Sequence, residues 1–162
     1  MSTPLDTRIS GPPKLRAAIL AGGITAGALD LLYAFVLVTL DHGPLIRVLH
    51  AIASGALGER AYTGGVPTAI LGVMLHFGIT VGAAAVYFLI ARGLTFVRRH
   101  PWICGAIFGA LVYPFMNFIV MPLSAVPFEI TYTPAVIVQG LMSHAVFVGL
   151  PIAFFLQRLY FD

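Results

Sequence analysis

The sequence is poor in charged residues and has almost no cysteine. Only 9% of its 162 residues are charged, whereas soluble proteins have about 25%. So few charges cannot cover a water-facing surface, which excludes an ordinary soluble domain. The single cysteine, Cys104, excludes an intrachain disulfide and argues against a cysteine-based metal site. The chain is instead 59% hydrophobic with a mean hydropathy of +0.97, values typical of a protein that lies in lipid.

The hydrophobic residues fall into four long runs. Each run is close to the roughly 20 residues that a helix needs to cross about 30 Å of hydrocarbon. Lipid offers backbone groups no water, and four segments cannot close a barrel, so all four runs are expected to be helices. We predict an all-α bundle of four transmembrane helices, at residues 17–40, 67–91, 102–121 and 134–156. They form one membrane domain, residues 17–162, after an N-terminal segment, residues 1–16.

Basic residues lie mostly on one side of these predicted spans. The net charge of +3 is too small to indicate nucleic-acid binding, so no nucleic-acid partner is expected and the bilayer is the main one. Because cytoplasmic loops are enriched in Lys and Arg, both termini are predicted to be cytoplasmic. Seven basic residues flank this side (Arg8, Lys14, Arg16, Arg92, Arg98, Arg99 and Arg158), against Arg47 and Arg60 on the other.

The long outer loop contains apolar residues at helical spacing. Leu45, Leu49, Ile52 and Ala56 recur every three or four residues. This pattern predicts a short amphipathic helix, at residues 45–57, on the outer membrane surface or against the bundle. It is expected to be a packed connector, with a lid or a partner-binding element as the alternative.

Two short motifs occur twice in the same order, which predicts two parallel copies of a two-helix unit. Such parallel repeats occur among transporters. The motif G-x-x-x-G-A-L contains Gly23 and Gly27 in span one and Gly105 and Gly109 in span three; G-x-M-x-H contains Gly72 and His76 in span two and Gly140 and His144 in span four. The glycines are predicted to let helices pack closely inside the bundle, with a homodimer interface as the alternative.

Four polar residues lie within the apolar runs: Asp30, His76, Asn117 and His144. Ionisable groups in the membrane are costly and usually face the bundle interior. Asp30, His76 and His144 each follow a glycine of the motifs by three or four residues, so they are expected on the small-residue faces, at a similar depth. Pro114 and Pro151 are predicted to kink spans three and four nearby.

Three interpretations of this polar cluster remain open. It could stabilise the bundle by joining helices, handle protons or a small solute, or hold haem or a transition metal. No catalytic residue and no cofactor is predicted, and the metal site is left unassigned. The main hypothesis is a non-enzymatic membrane protein whose cluster stabilises the bundle and handles protons or a small solute. The alternative is a haem- or metal-binding redox protein.

The order of motifs resembles that of small four-helix bacterial inner-membrane proteins of the YagU kind and related families of unknown function. The resemblance extends from about residue 15 to residue 158 and implies a multi-pass membrane protein without assigned catalytic residues. Its motifs are G-x-x-x-G-A-L-D (residues 23–30), L-G-x-x-x-H (71–76), P-F-M-N-F-I-V-M-P (114–122) and S-H-A-V-F (143–147).

Overall fold

The computed structural model describes residues 12–129 and 131–162, so Arg8 and most of segment 1–16 lie outside the described residues. The described residues form helices and turns, without any strand. Four helices are long and apolar enough to cross a membrane, which confirms the predicted all-α four-helix bundle and is compatible with a multi-pass membrane protein. They are α1 (Pro12–Leu40), α3 (Gly65–Gly93), the third span (Pro101–Val120) and the fourth span (Pro134–Phe161).

The last two spans change their hydrogen-bond pattern along their length. The third span is α5 (Pro101–Phe115) followed by a π turn (Met116–Val120); the fourth consists of α6 (Pro134–Ser143), a π turn (His144–Gly149), α7 (Leu150–Leu156) and a final π turn (Gln157–Phe161). The first two π turns lie within two residues of Pro114 and Pro151. Prolines lack the N–H that an α-helix needs, and π turns are common where the regular pattern is interrupted. The two kinks themselves stay predictions.

The spans are packed in the order α3, α1, fourth span, third span. Most of the buried apolar core lies near the end that carries the N-terminus of α1 and the C-terminus of α3. There the ring of Phe88 packs against the ring of Tyr160 at 5.2 Å between centroids, and small residues such as Ala18 and Ala91 fill the remaining space. The short helix α4 (Thr95–Arg99) closes this end between α3 and α5. This half of the bundle is therefore densely packed.

The paired glycines lie where two helices of the same chain touch. A Cβ added to Gly23 would lie 2.5 Å from the Cα of Val81 in α3, and one added to Gly27 would lie 2.7 Å from Thr80 Oγ1. In the other half, a Cβ on Gly105 would lie 2.5 Å from the Cβ of Ala153. Only glycine permits these approaches, so both G-x-x-x-G faces are occupied within the chain.

The outer loop contains α2 (Ile46–Leu57), which packs against α3 and leads into a 3₁₀ turn, Gly58–Tyr62. Its buried residues are His50, Ala53 and Ser54, whereas Leu45 and Ala56 are exposed. The predicted loop helix is therefore present and lies against the bundle, and its spaced apolar residues Leu49 and Ile52 are half-buried. His50 tolerates burial because its Nε2–H donates to the Gly65 carbonyl over 2.9 Å, which satisfies the polar group.

Gly109→Ala is expected to destabilise the protein. The added methyl would meet backbone atoms on the fourth span, 2.6 Å from the nitrogen of Gly149, and backbone cannot move aside cheaply. Overpacking of this kind costs about 1–3 kcal/mol. Thermal unfolding in detergent would measure the loss.

Gly82→Ala is the matched control, because nothing lies within 4 Å of an added Cβ at that mid-helix position of α3. It should leave the melting temperature unchanged or raise it, since alanine favours a helix over glycine by about 1 kcal/mol. Equal effects of the two substitutions would contradict the close helix contact.

Candidate functional site

Asp30 of α1 and His76 of α3 meet near the middle of the bundle. The Oδ2 atom of Asp30 lies 4.0 Å from Nε2 of His76, and their side chains are 20% and 12% exposed. The same Nε2 also lies 2.9 Å from the carbonyl oxygen of Gly27. A carboxylate, an imidazole and a backbone carbonyl thus converge between two spans. We call Asp30 and His76 the acid–imidazole pair.

Gly27 makes this arrangement possible. Because it has no side chain, α3 approaches α1 so closely that a Cβ there would lie 2.9 Å from the ring of Phe77. The imidazole of His76 can therefore reach the Gly27 carbonyl, which lies one turn before Asp30 on the same face of α1. The His76 and Phe77 rings stand edge to face with centroids 5.7 Å apart. The G-x-x-x-G face and the acid–imidazole pair are parts of one helix contact.

The hydrogen bond to Gly27 determines where His76 carries a proton. A carbonyl oxygen can only accept, so Nε2 must be the protonated nitrogen when the ring is neutral. The second nitrogen, Nδ1, has no hydrogen-bond partner among the described residues. It is free to accept a proton, and the resulting imidazolium would face the carboxylate of Asp30. The pair therefore has the chemistry of a proton acceptor.

His144 lies at the depth of Asp30 but belongs to a different contact. Gly22 of α1 contacts Ile152 of the fourth span, so these two residues lie at the same depth. Asp30 lies eight residues from Gly22, and His144 lies eight residues from Ile152 in the same direction. Both are therefore displaced by about 12 Å along their helices. Within the described ranges, however, no hydrogen bond or ion pair joins His144 to Asp30 or His76. The imidazole of His144 instead lies 5.4 Å from the ring of Tyr113, and Nδ1 donates to the Gly140 carbonyl over 3.0 Å.

Asn117 belongs to this second group, which is centred on Tyr113. Its Nδ2 donates to the Tyr113 carbonyl over 2.8 Å, and its Oδ1 accepts a long bond of 3.5 Å from the hydroxyl of Tyr132. The expected single cluster is thus two groups, one between α1 and α3 and one between the third and fourth spans. Residue depth can be calculated from sequence, but the direction of a side chain around its helix depends on which neighbour it meets.

One polar contact that was not predicted from the sequence lies between the two groups. Gln139 of α6 donates from Nε2 to the hydroxyl of Tyr33 in α1 over 2.7 Å, and the ring of Tyr33 lies 5.2 Å from that of Phe147. Tyr33 follows Asp30 by three residues and so shares its helix face. That spacing was the signal available in the sequence. This hydrogen bond joins α1 to the outer half of the fourth span.

Helix α2 lies directly outward of the acid–imidazole pair. Gly72 precedes His76 by one turn on the same face of α3, and the space of its missing side chain is filled by the Leu49 carbonyl of α2. The loop helix therefore sits about 6 Å outward of His76 along α3. Toward the other end, the pair is followed by the fully buried Ala26 and Ala84. The pair is covered on both sides, by α2 outward and by the apolar core inward.

The described residues contain no group of three or more His, Cys, Asp or Glu side chains placed to hold a metal ion. Both intramembrane histidines instead direct a ring nitrogen at a backbone carbonyl, of Gly27 and of Gly140. No observation in the described part of the chain therefore favours the metal or haem alternative.

Comparison with known proteins identifies no relative. No protein-family model matches the chain, and no curated protein or solved structure matches it. The function is therefore inferred from the geometry of the two polar groups.

His76→Leu is expected to lower stability more than His144→Leu. His76 donates its hydrogen bond to another helix, whereas His144 donates to a carbonyl one turn back in its own span. Hydrogen bonds between membrane helices contribute on average about 0.6 kcal/mol and at most about 1.7 kcal/mol. Thermal unfolding of the two variants in detergent would test the difference, and a larger loss for His144→Leu would contradict it.

Proposed function

We propose that this chain is a non-enzymatic, multi-pass protein of a bacterial inner membrane, in which the acid–imidazole pair joins α1 to α3 and is the proton-binding site of a slow proton carrier. The observation that carries the proposal is the approach of Asp30 Oδ2 to within 4.0 Å of His76 Nε2 in two membrane spans. Ionisable groups at this depth are expensive and are typical of proton relays as well as of helix contacts. One pair can serve both roles.

The surroundings of the pair favour a carrier over an open proton channel. Inward of the pair, the hydroxyl of buried Thr80 donates to the Phe77 carbonyl of its own helix, and beyond it Ala26 and Ala84 are fully buried and offer no hydrogen-bonding side chain. Outward lies α2, which is followed directly by Gly58, and the segment that leads from it into α3 ends at Gly65; both glycines have φ of +60°. Protons would therefore reach the pair when α2 moves, and would cross the membrane only if the helices also rearrange. Exchange limited by helix movement is slow compared with a water-filled pore.

The two-fold repeat is part of the proposal. Gly23 and Gly27 pack against α3, and Gly105 and Gly109 pack against the fourth span, so each G-x-x-x-G motif contacts the second helix of its own half. The position that corresponds to Asp30 in the second half is Val112. The second histidine, His144, therefore has no acidic residue at the equivalent position, and its ring donates a hydrogen bond to the Gly140 carbonyl of its own helix instead. We also propose a relation to proteins of the YagU kind.

The orientation rests on charge. Exposed basic residues of the described part are concentrated at the end formed by the start of α1, the end of α3, α4 and the end of the fourth span. Arg98 of α4 lies 5.8 Å above the ring of Phe161, which holds these segments together at one end. Cytoplasmic surfaces carry this excess of Lys and Arg, so we place both termini in the cytoplasm.

Asp30→Asn is expected to abolish proton uptake into proteoliposomes. The substitution retains a side chain of the same shape and removes the ionisable carboxylate beside His76. The wild-type protein should give an acidification of a trapped pH-sensitive dye above that of empty liposomes when a potassium–valinomycin potential is applied.

His144→Leu is the matched control, because that residue lies at the same depth but contacts Tyr113 rather than the pair. It should retain the wild-type rate. Wild-type uptake no faster than that of empty liposomes, or an unchanged rate in Asp30→Asn, would overturn the proton-binding part of the proposal.

Cysteine labelling tests the orientation. In a Cys104→Ser background, Glu59→Cys should react with a membrane-impermeant maleimide in intact spheroplasts, because Glu59 is exposed in the turn after α2. Arg99→Cys, which is exposed at the opposite end of the bundle, should react only after permeabilisation. The reverse pattern would place the termini outside.

A further inference from the structure

A groove on the outer face combines one positive charge, one negative charge and two aromatic rings. It has a volume of about 550 Å³ and lies between α2, the 3₁₀ turn and the loop that follows the third span. This volume is within the roughly 300–1,000 Å³ range of small-molecule sites. The residues that line it are Arg47, Ala51, Glu59, Tyr62, Pro127 and Phe128.

The two charged side chains of the groove do not form an ion pair with each other and can therefore contact a ligand. Arg47 and Glu59 are exposed, and no ion pair within 4.0 Å joins them in the described part of the chain. The rings of Tyr62 and Phe128 are also partly exposed, at 38% and 41%. An aromatic face attracts a cation within about 6 Å, and a carboxylate nearby adds to that attraction. Arginine favours phosphate. The groove is thus matched to a ligand that carries both a phosphate and an ammonium group.

The walls of the groove are held in place from both sides. The amide of Ala125 donates to the Gly55 carbonyl of α2 over 2.9 Å, so the loop is tied to the helix beside the groove. Ring packing between His50 and Tyr62, with centroids 6.3 Å apart, connects the 3₁₀ turn to the buried face of α2. The three segments that form the groove are therefore joined to one another.

The position of the groove favours a lipid over a soluble ligand. Both of its walls follow the outer ends of membrane spans, α1 on one side and the third span on the other. Large apolar side chains of the same segments are exposed, Leu57 at 37% at the end of α2 and Leu123 at 83% after the third span. In a membrane these surfaces are available to acyl chains, while the charged residues lie at the level of headgroups.

We propose that this groove binds the headgroup of a zwitterionic phospholipid with a primary ammonium group, that is, phosphatidylethanolamine. The phosphate contacts Arg47, and the ammonium group lies between Glu59 and the rings of Tyr62 and Phe128. The lipid would brace α2, and through α2 the cover of the acid–imidazole pair, but the site does not depend on proton binding by that pair.

Native mass spectrometry of the purified protein in detergent, with added phosphatidylethanolamine or phosphatidylglycerol, tests the proposal. The wild-type protein should retain more phosphatidylethanolamine. Glu59→Gln should lower retention of this lipid by about fivefold, the factor that corresponds to ~1 kcal/mol for an exposed charge contact, and leave phosphatidylglycerol unchanged. Arg47→Gln should lower retention of both lipids, because both contain phosphate.

Arg60→Gln is the matched control, since Arg60 is an exposed neighbour that does not line the groove. It should bind both lipids as the wild type does, as should Asp30→Asn, whose defect would be confined to proton uptake. The substituted residues are exposed, and the melting temperature without added lipid verifies that each variant is folded. Arg47→Lys retains the charge and should preserve part of the binding.

Three results would overturn the proposal. The first is equal retention of the two lipids by the wild type. The second is unchanged phosphatidylethanolamine binding in both Arg47→Gln and Glu59→Gln. The third is complete displacement by an equal concentration of glycerophosphoethanolamine, which would show that the groove takes a soluble zwitterion rather than a membrane lipid.

Discussion

The acid–imidazole pair depends on the close approach of α1 and α3 at Gly27, where His76 donates a hydrogen bond to the Gly27 carbonyl. This hydrogen bond requires the two backbones to approach so closely that residue 27 must be glycine, because a Cβ atom there would collide with α3. Once the helices are this close, Asp30 and His76 can face each other in a medium that would otherwise make both groups costly. Gly27 thus allows His76 to reach α1, and the hydrogen bond between them brings the imidazole close to Asp30.

The same principle acts in the second half with a different result. Gly109 brings the third and fourth spans together, but the position equivalent to Asp30 is apolar. His144 there donates to its own helix and packs on Tyr113. Two halves with similar helix packing therefore offer different chemistry, since one contact is ionisable on both helices and the other is not. Proton binding is accordingly assigned to the first half.

The main apolar core lies in the half of the bundle that carries most of the basic residues, and this distribution bears on movement. The core around Phe88 and Tyr160 joins all four spans at the basic end. At the other end, α6 has no buried residue before Ser143, and its recorded polar contact with α1 is the hydrogen bond between Gln139 and Tyr33. Regions with few buried contacts open at lower free energy than a packed core. Any rearrangement that admits solvent to the pair would begin at the end that carries α2.

Much of the fold could be predicted because lipid imposes simple rules. Run length specified the four helices, since each must cross about 30 Å with its backbone bonds internal. Glycine spacing indicated the close faces, and residue counting gave the common depth of Asp30 and His144. The loop helix was predicted too, but its buried face was not. The polar face of this helix would be expected to contact water. His50 is buried instead, because its imidazole donates a hydrogen bond to the Gly65 carbonyl.

The sequence by itself indicated that this protein lies in lipid, and it determined the number of long helices and the depth of the polar residues. These properties depend on composition and on distance along a helix, which are local. Only the tertiary structure decided which polar residues meet, because that depends on how each helix is rotated and on which neighbour faces it. It paired His76 with Asp30 across two helices and left His144 with Tyr113. It also brought Arg47 and Glu59 to one groove, although nothing in their spacing indicated a common site.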